Sequence, residues 1–271
     1  MTVLKVLYLG DIMGSPGREV ITFRLPGLRH KLKADIVIAQ AENVSHGKSM
    51  TPAHMRELQR AGVDFFTGGN HTIERPSLLG LLADPFEPVT APMNQPGVEP
   101  DWGVKILPTA QGDVLVMSVL GTTFPELAAP IGNPLRAMDA ALRAVDGQKF
   151  IAKIVNFHGD YSSEKRVAGF YLDGRVSAVV GDHWHVPTAD AMVLPGGTAH
   201  ITDVGMCGTL LTSLGVSKEL IIARWRDGVK NKNDIALHGP YQLNGVLIEV
   251  DTKTGLARKI TPVNEILEKL G

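Results

Sequence analysis

Five short segments of the sequence place carboxylate, amide and imidazole side chains directly after runs of apolar residues. They are Gly10-Asp11-Ile12-Met13, Ala41-Glu42-Asn43-Val44, Gly68-Gly69-Asn70-His71-Thr72, Asn156-Phe157-His158-Gly159-Asp160 and Gly181-Asp182-His183-Trp184-His185. Taken singly, each has an ordinary explanation. A Gly-Asp pair after a strand is most often a turn, because Asp bonds its own backbone and Gly supplies a positive φ. Glu42-Asn43 could cap a helix, and His158 alone reads as a satisfied core histidine. His183 and His185 say more. In an extended chain, residues two apart point the same way, so both imidazoles can face one centre. The coincidence of all five decides the matter, since independent turns have no reason to select these donor types together. Nitrogen and oxygen donors without a thiolate suit Mn, Fe or Zn, whereas Ca and Mg prefer oxygen alone. Two ions about 3.5–4 Å apart, bridged by one carboxylate, would use a donor set of this size fully.

Loops can bring such donors together only if the elements before them lie side by side. The first third alternates apolar runs with helical spacing, at residues 4–9, 18–32, 36–40, 51–61 and 65–67, the rhythm of βαβ units and a largely parallel sheet. Thr51-Pro52 starts one helix as cap and first residue, and Gly62 is placed to end it. Pro26 should split the segment 18–32 into two short pieces. The second half is richer in strand patterns, at 104–107, 114–120, 150–157, 176–180, 241–250 and 257–260, with helices expected over 135–145, 163–171 and 263–270. The expected architecture is a two-sheet α/β sandwich with flanking helices, formed by one domain over 1–271, with a small proline-rich insertion around 83–102. In open α/β sheets, chemistry gathers beyond the carboxyl ends of the strands, where all five segments fall.

Composition removes several functional classes. With 44% hydrophobic and 20% charged residues and a net charge of -1, the profile is that of a soluble globular protein. The 27 Lys and Arg are balanced by 28 Asp and Glu, which leaves no excess for displacing counterions from a phosphate backbone, so no dedicated nucleic-acid binding is expected. The single cysteine, Cys207, cannot form an internal disulfide, and a cytoplasmic location is the expectation. The N-terminal run reads as a first strand rather than a signal segment. No stretch approaches the roughly 20 apolar residues that cross a bilayer, so no membrane is expected. A homo-oligomer is left open.

In their order along the chain, Gly10-Asp11, Glu42-Asn43, Gly69-Asn70-His71, His158 and His183-Trp184-His185 resemble the signature of the calcineurin-like metallophosphoesterases. The closer resemblance is to the bacterial YmdB-like subfamily. There the first motif lacks the histidine that other metallophosphoesterases carry two residues after the aspartate, and Glu takes the bridging position. This chain has Met13 and Glu42 at those places. It also matches in Pro16-Gly17-Arg18, Ser163-Glu164-Lys165, His185-Val186-Pro187-Thr188-Ala189-Asp190 and Thr202-Asp203-Val204-Gly205-Met206, so the resemblance spans almost the whole chain.

The resemblance implies two divalent or mixed-valence metal ions, Fe or Mn foremost and Zn next. Asp11, His185 and Asn43 would hold the first ion, Glu42 would bridge, and Asn70, His158 and His183 would hold the second. His71 would not ligate but would face the leaving-group oxygen and either protonate it or stabilise its charge. Two departures stand out. The subfamily usually has Asp-Phe-His-Ala-Glu where this chain has Asn156-Phe157-His158-Gly159-Asp160, and Thr-His-Thr-His where it has Asp182-His183-Trp184-His185. The implied activity is hydrolysis of a small-molecule phosphodiester, a cyclic nucleotide foremost, by in-line attack of a bridging hydroxide. A phosphomonoesterase and a slow, metal-bound nucleotide sensor are the alternatives. Two carboxylates and two divalent ions with one hydroxide sum to roughly +1, which matches a diester, while a dianionic monoester would need a clamp such as Arg18, Arg75 or Lys165. Cys207, Trp102, Trp184 and Trp225 read as packing residues, His46 and Lys48 as solvated loop residues, and His30, His54 and His238 as surface positions.

Overall fold

In the computed structural model, which describes residues 2–127 and 129–270, the first apolar run forms β1 (Val3–Leu9). It leads through β2 (Asp11–Ile12) into α1 (Gly14–Leu32), followed by β3 (Ile36–Gln40), α2 (Pro52–Ala61), β4 (Phe65–Thr67) and α3 (Pro76–Ala83). Next come β5 (Val104–Thr109), β6 (Gly112–Leu120), α4 (Pro134–Ala144), β7 (Ala152–His158), α5 (Ser162–Tyr171) and β8 (Ala178–Asp182). The remainder holds β9 (Met192–Val193), β10 (Ala199–Ile201), β11 (Met206–Thr209), α6 (Lys218–Asp227), β12 (Tyr241–Asp251) and β13 (Leu256–Leu267).

Among the described residues these strands build two mixed sheets. One runs β2-β11-β12-β1-β3-β4 with β13 beside β12, and the other runs β5-β6-β7-β8-β10-β9. Between the sheets lie Leu4, Val6, Tyr8, Ile36, Ile38 and Phe65 against Val114, Val116, Ile154, Ala178 and Val180. The outer face of the first sheet is covered by Val20, Ile21, Leu25 and Leu28 of α1 and by Met55 and Leu58 of α2. Met138 of α4 and Ala168 of α5 cover the second. The expected two-sheet α/β sandwich is therefore the observed one. Strands buried on both faces read as continuous apolar runs, which is why residues 36–40 and 65–67 are bounded as the sequence predicts.

Parallel pairing puts the donor segments at one level. Leu9 lies beside Ala39, Gln40 beside Thr67, and His158 beside Asp182, so β1, β3, β4, β7 and β8 all end toward the same side. Local signals hold for α2, where the Thr51 side chain accepts from His54 N and Gly62 closes the helix at φ 109°.

Four expectations differ from the structure. α1 is one helix through Pro26, because Pro26 and Thr22, whose carbonyl loses its partner, both face solvent while Leu25 and Leu28 hold the other face. Residues 263–270, expected as a helix, belong largely to β13, since β12 offers an edge that this segment completes in register from Asp251–Leu256 to Tyr241–Leu267. The proline-rich stretch 83–102 is no insertion but the crossing between sheets: Val89 bridges to Phe66, and Met93 N donates to Ser118 O. The helix α6 went unrecognised because no residue on it is buried, so it carries no apolar stripe.

Candidate metal centre

The five loops do converge. Glu42, His158 and His183 each bring a ligand atom to within 4.8 Å of one another. His158 Nε2 lies 2.9 Å from Asn70 Oδ1 and 3.3 Å from Glu42 Oε1. The Asn70 amide is oriented from behind, its Nδ2 donating to Glu126 Oε1 at 2.8 Å. A second group adjoins the first: His185 Nε2 is 3.2 Å from Asn43 Oδ1 and 3.8 Å from Asp11 Oδ1, and His183 N donates to Asp11 Oδ2 at 3.3 Å. The structure thus gathers all seven predicted ligand residues, with Asn70, His158 and His183 on one side, Asp11, Asn43 and His185 on the other, and Glu42 beside His158 and His183.

The two late histidines do not arrive there as an extended strand, as their spacing suggests. β8 ends at Asp182, and His183 and His185 adopt φ of 104° and 61°. Left-handed backbone at bulky residues is strained and persists only where the surroundings enforce it. Asp203 supplies that force. Its carboxylate accepts from Trp184 N at 2.8 Å and from the buried Lys165 Nζ at 2.8 Å, and Lys165 lies over the Trp184 ring. Gly69 serves close approach on the opposite wall, where a Cβ would collide with Glu42 Oε2 and the His158 ring.

The electrostatics fit a cation. Asp11 is fully buried, its Oδ1 has no hydrogen-bond partner, and burial, with Asp182 adding, pushes its carboxyl well above the usual range. Orphaned buried carboxylate oxygens are rare and call for a counter-charge. Burial, with the neighbouring His158, drives His183 down to about 2, and burial also lowers His185, so both imidazoles are neutral and could offer a lone pair to a cation. His158 behaves oppositely: burial pulls its pKa down, but Glu42 and Asp182 outweigh that and hold it well above the ordinary value. In the same pair Glu42 falls below the usual carboxylate range, the attraction of His158 overcoming burial. Binding of a cation by these nitrogen and oxygen donors would release the His158 proton.

His71 stands apart from the ligand group. Its backbone N donates to Glu42 Oε2 at 3.0 Å, while its ring Nδ1 sits 2.5 Å from Glu74 Oε1, leaving Nε2 as the nitrogen that can meet a substrate. It lines a cleft of about 340 Å³ together with Glu42, Asn43, His183 and His185.

This geometry has counterparts among known proteins. A family model described as YmdB-like protein matches residues 7–263. The chain belongs to the YmdB-like family. Its relatives include the 2′,3′-cyclic-nucleotide 2′-phosphodiesterase of Bacillus subtilis, 36% identical over 258 residues, covering 95% of each chain. A solved phosphatase from Mycoplasma pneumoniae matches with a TM-score of 0.90 at 31% identity, covering 99% of this chain and 95% of that one. A hypothetical protein from Thermus thermophilus matches with a TM-score of 0.87 at 34% identity, covering 97% of this chain and 100% of that one. The 5′-nucleotidase of Candida albicans shares the fold alone, with a TM-score of 0.57 at 10% identity over 96% of this chain and 50% of that one. As a YmdB-like protein, the chain is a metal-dependent phosphoesterase.

Against the YmdB-like pattern, the two departures prove to be neighbours. Asp182 Oδ1 is 2.7 Å from His158 Nδ1, and Asn156 Nδ2 donates to Asp182 Oδ2 at 2.5 Å. Asp182 thus supplies the carboxylate that holds His158 Nδ1, and Tyr8 Oη and Gln40 Nε2 also donate to it. Sequence reasoning quoted Asp182 without giving it a role and missed Tyr8, Gln40, Glu74 and Glu126. Phe124, stacked on His158 and edge-on to His183, was missed as well. Cys207 is a packed residue, buried at 0% exposure with its thiol pushed up to about 12 by burial. His46 is exposed, and Lys48 pairs with Glu74. Trp102 packs on the first core and Trp184 donates to Asp160 O, as packing residues should. Trp225 does not: it is 85% exposed on the cleft wall.

Proposed function

We propose that the chain is a binuclear-metal phosphodiesterase acting on small cyclic nucleotides, with Fe or Mn, or Zn, held by Asp11, Glu42, Asn43, Asn70, His158, His183 and His185. When bound, the two ions would supply an activated water nucleophile and screen the charge that builds on the phosphoryl oxygens. The protein's own part is to position and to protonate. Neutral His183 and His185 keep their lone pairs available, Glu42 is ionised, and Glu74 holds His71 by Nδ1 so that Nε2 can carry a proton toward the departing oxygen.

The observation that favours a diester is the engagement of every clamp considered for a dianion. Arg18 bonds Glu57 and Val44 O, Arg75 bonds Ser45 O and Lys48 O, and Lys165 is buried on Asp203. Arg224, which lines the cleft, is turned to Asn231 and Asn233. With a cage charge of roughly +1, a monoanionic diester neutralises the site and a dianion overshoots it. The name of the Bacillus subtilis relative points the same way. Side-by-side rates on a nucleoside 2′,3′- or 3′,5′-cyclic monophosphate and on the matching nucleoside monophosphate, at equal metal loading, test the proposal. We expect higher kcat/KM for the cyclic diester; faster phosphate release from the monoester would assign a phosphomonoesterase instead.

A further inference from the structure

We propose that Trp225 is the stacking platform for the nucleobase of the substrate, an inference that rests on the diesterase reading above. Trp225 lines the same cleft as Glu42, His71, His183 and His185, so a molecule whose phosphate sits among those residues extends its remaining part along this wall. At 85% exposure, the indole is among the most exposed large hydrophobic side chains of the protein. It is carried on α6, a helix with no buried residue, so packing does not account for its presence. Leu214 and Ile221 line the cleft beside it. The guanidinium of Arg224 donates to Asn231 Oδ1 at 2.6 Å and to Asn233 Oδ1 at 2.9 Å, so the wall offers a π-face, aliphatic surface and amide groups rather than a free cation. That combination suits an uncharged aromatic ring with polar edges, and a cleft of about 340 Å³ matches a mononucleotide in size.

The test compares Trp225→Ala and Trp225→Phe with the unaltered protein on adenosine 2′,3′-cyclic monophosphate and on the base-free methyl riboside 2′,3′-cyclic phosphate. Stacking on an aromatic side chain is a strong, sequence-tolerant contribution, so the ratio of kcat/KM for the nucleotide over the base-free ester should fall by about tenfold or more in Trp225→Ala and be largely kept in Trp225→Phe. An unchanged ratio in Trp225→Ala overturns the proposal. A binding measurement decides the matter even if no diester is cleaved, an outcome that would remove the diesterase reading and not this one. Adenosine 3′-monophosphate should quench tryptophan emission saturably in the unaltered protein, and Trp225→Phe should abolish the quench. Quenching that persists in Trp225→Phe, or emission that follows protein concentration instead of nucleotide, overturns it.

Discussion

His158 Nδ1 and Asp182 Oδ1 lie 2.7 Å apart at the ends of adjacent parallel strands, and this pair fixes which imidazole nitrogen faces the proposed metal cage. With Nδ1 held by the carboxylate, Nε2 points at Asn70 Oδ1 and Glu42 Oε1. Partners of this kind orient metal-binding imidazoles and tune their basicity, and their loss costs about 10- to 100-fold in metal affinity. Asp182→Thr should therefore weaken metal binding by that order in a competition titration. Because Asn156 and Asp182 are in contact, the double variant Asn156→Asp with Asp182→Thr should recover most of the loss. Equal affinity in the single variant and the unaltered protein would remove the assigned role.

His71 should be separable from the metals. His71→Ala is expected to keep its metal content while losing on the order of 10²–10⁴-fold in rate, the span of general acid catalysis. The loss should shrink on esters with good leaving groups, which need no protonation. Glu74→Gln should give a smaller loss of the same kind, since it weakens the hold on Nδ1. A His71→Ala protein with fewer metals would mean that His71 is a ligand.

Away from the site, His200 sets an acid limit on stability. It is 1% exposed, neither ring nitrogen has a hydrogen-bond partner, and burial lowers its pKa to about 4, with Asp190 opposing and Arg166 and Lys165 reinforcing the shift. Asp190, at about 2, stays ionised throughout the relevant range. The unfolded chain binds the His200 proton near the ordinary histidine value of about 6.5 and the folded chain only near 4, so unfolding takes up a proton in between. The His200 contribution to stability should fall as pH drops from about 6.5 to 4, by an amount on the order of 3 kcal/mol, and level off below. In His200→Gln the unfolding midpoint in denaturant should depend less on pH across that window; parallel pH profiles would show that other groups dominate.

The residues that reached the site were legible because each donor follows its own apolar run directly, as Glu42 follows β3 and Asn70 follows β4. The helix α2 was legible for a similar reason, its Thr51, Pro52 and Gly62 signals being local. What stayed hidden depends on contacts distant in sequence. Asp182 meets His158 across 24 positions only through strand register. Residues 263–267 look helical by spacing and become strand because β12 needs a neighbour. The left-handed turns at His183 and His185 depend on Asp203 and Lys165, whose pairing no local pattern announces. Trp225 looked like a packing residue because side-chain type alone cannot tell whether anything covers it.

The proposed binuclear cage is tested most directly by counting metals. Elemental analysis of the protein purified under metal-replete conditions should find two ions per chain, and Glu42→Ala, which removes the carboxylate proposed to bridge them, should lose or severely weaken both. At most one tightly bound ion in the unaltered protein, or two retained in Glu42→Ala, would contradict the account.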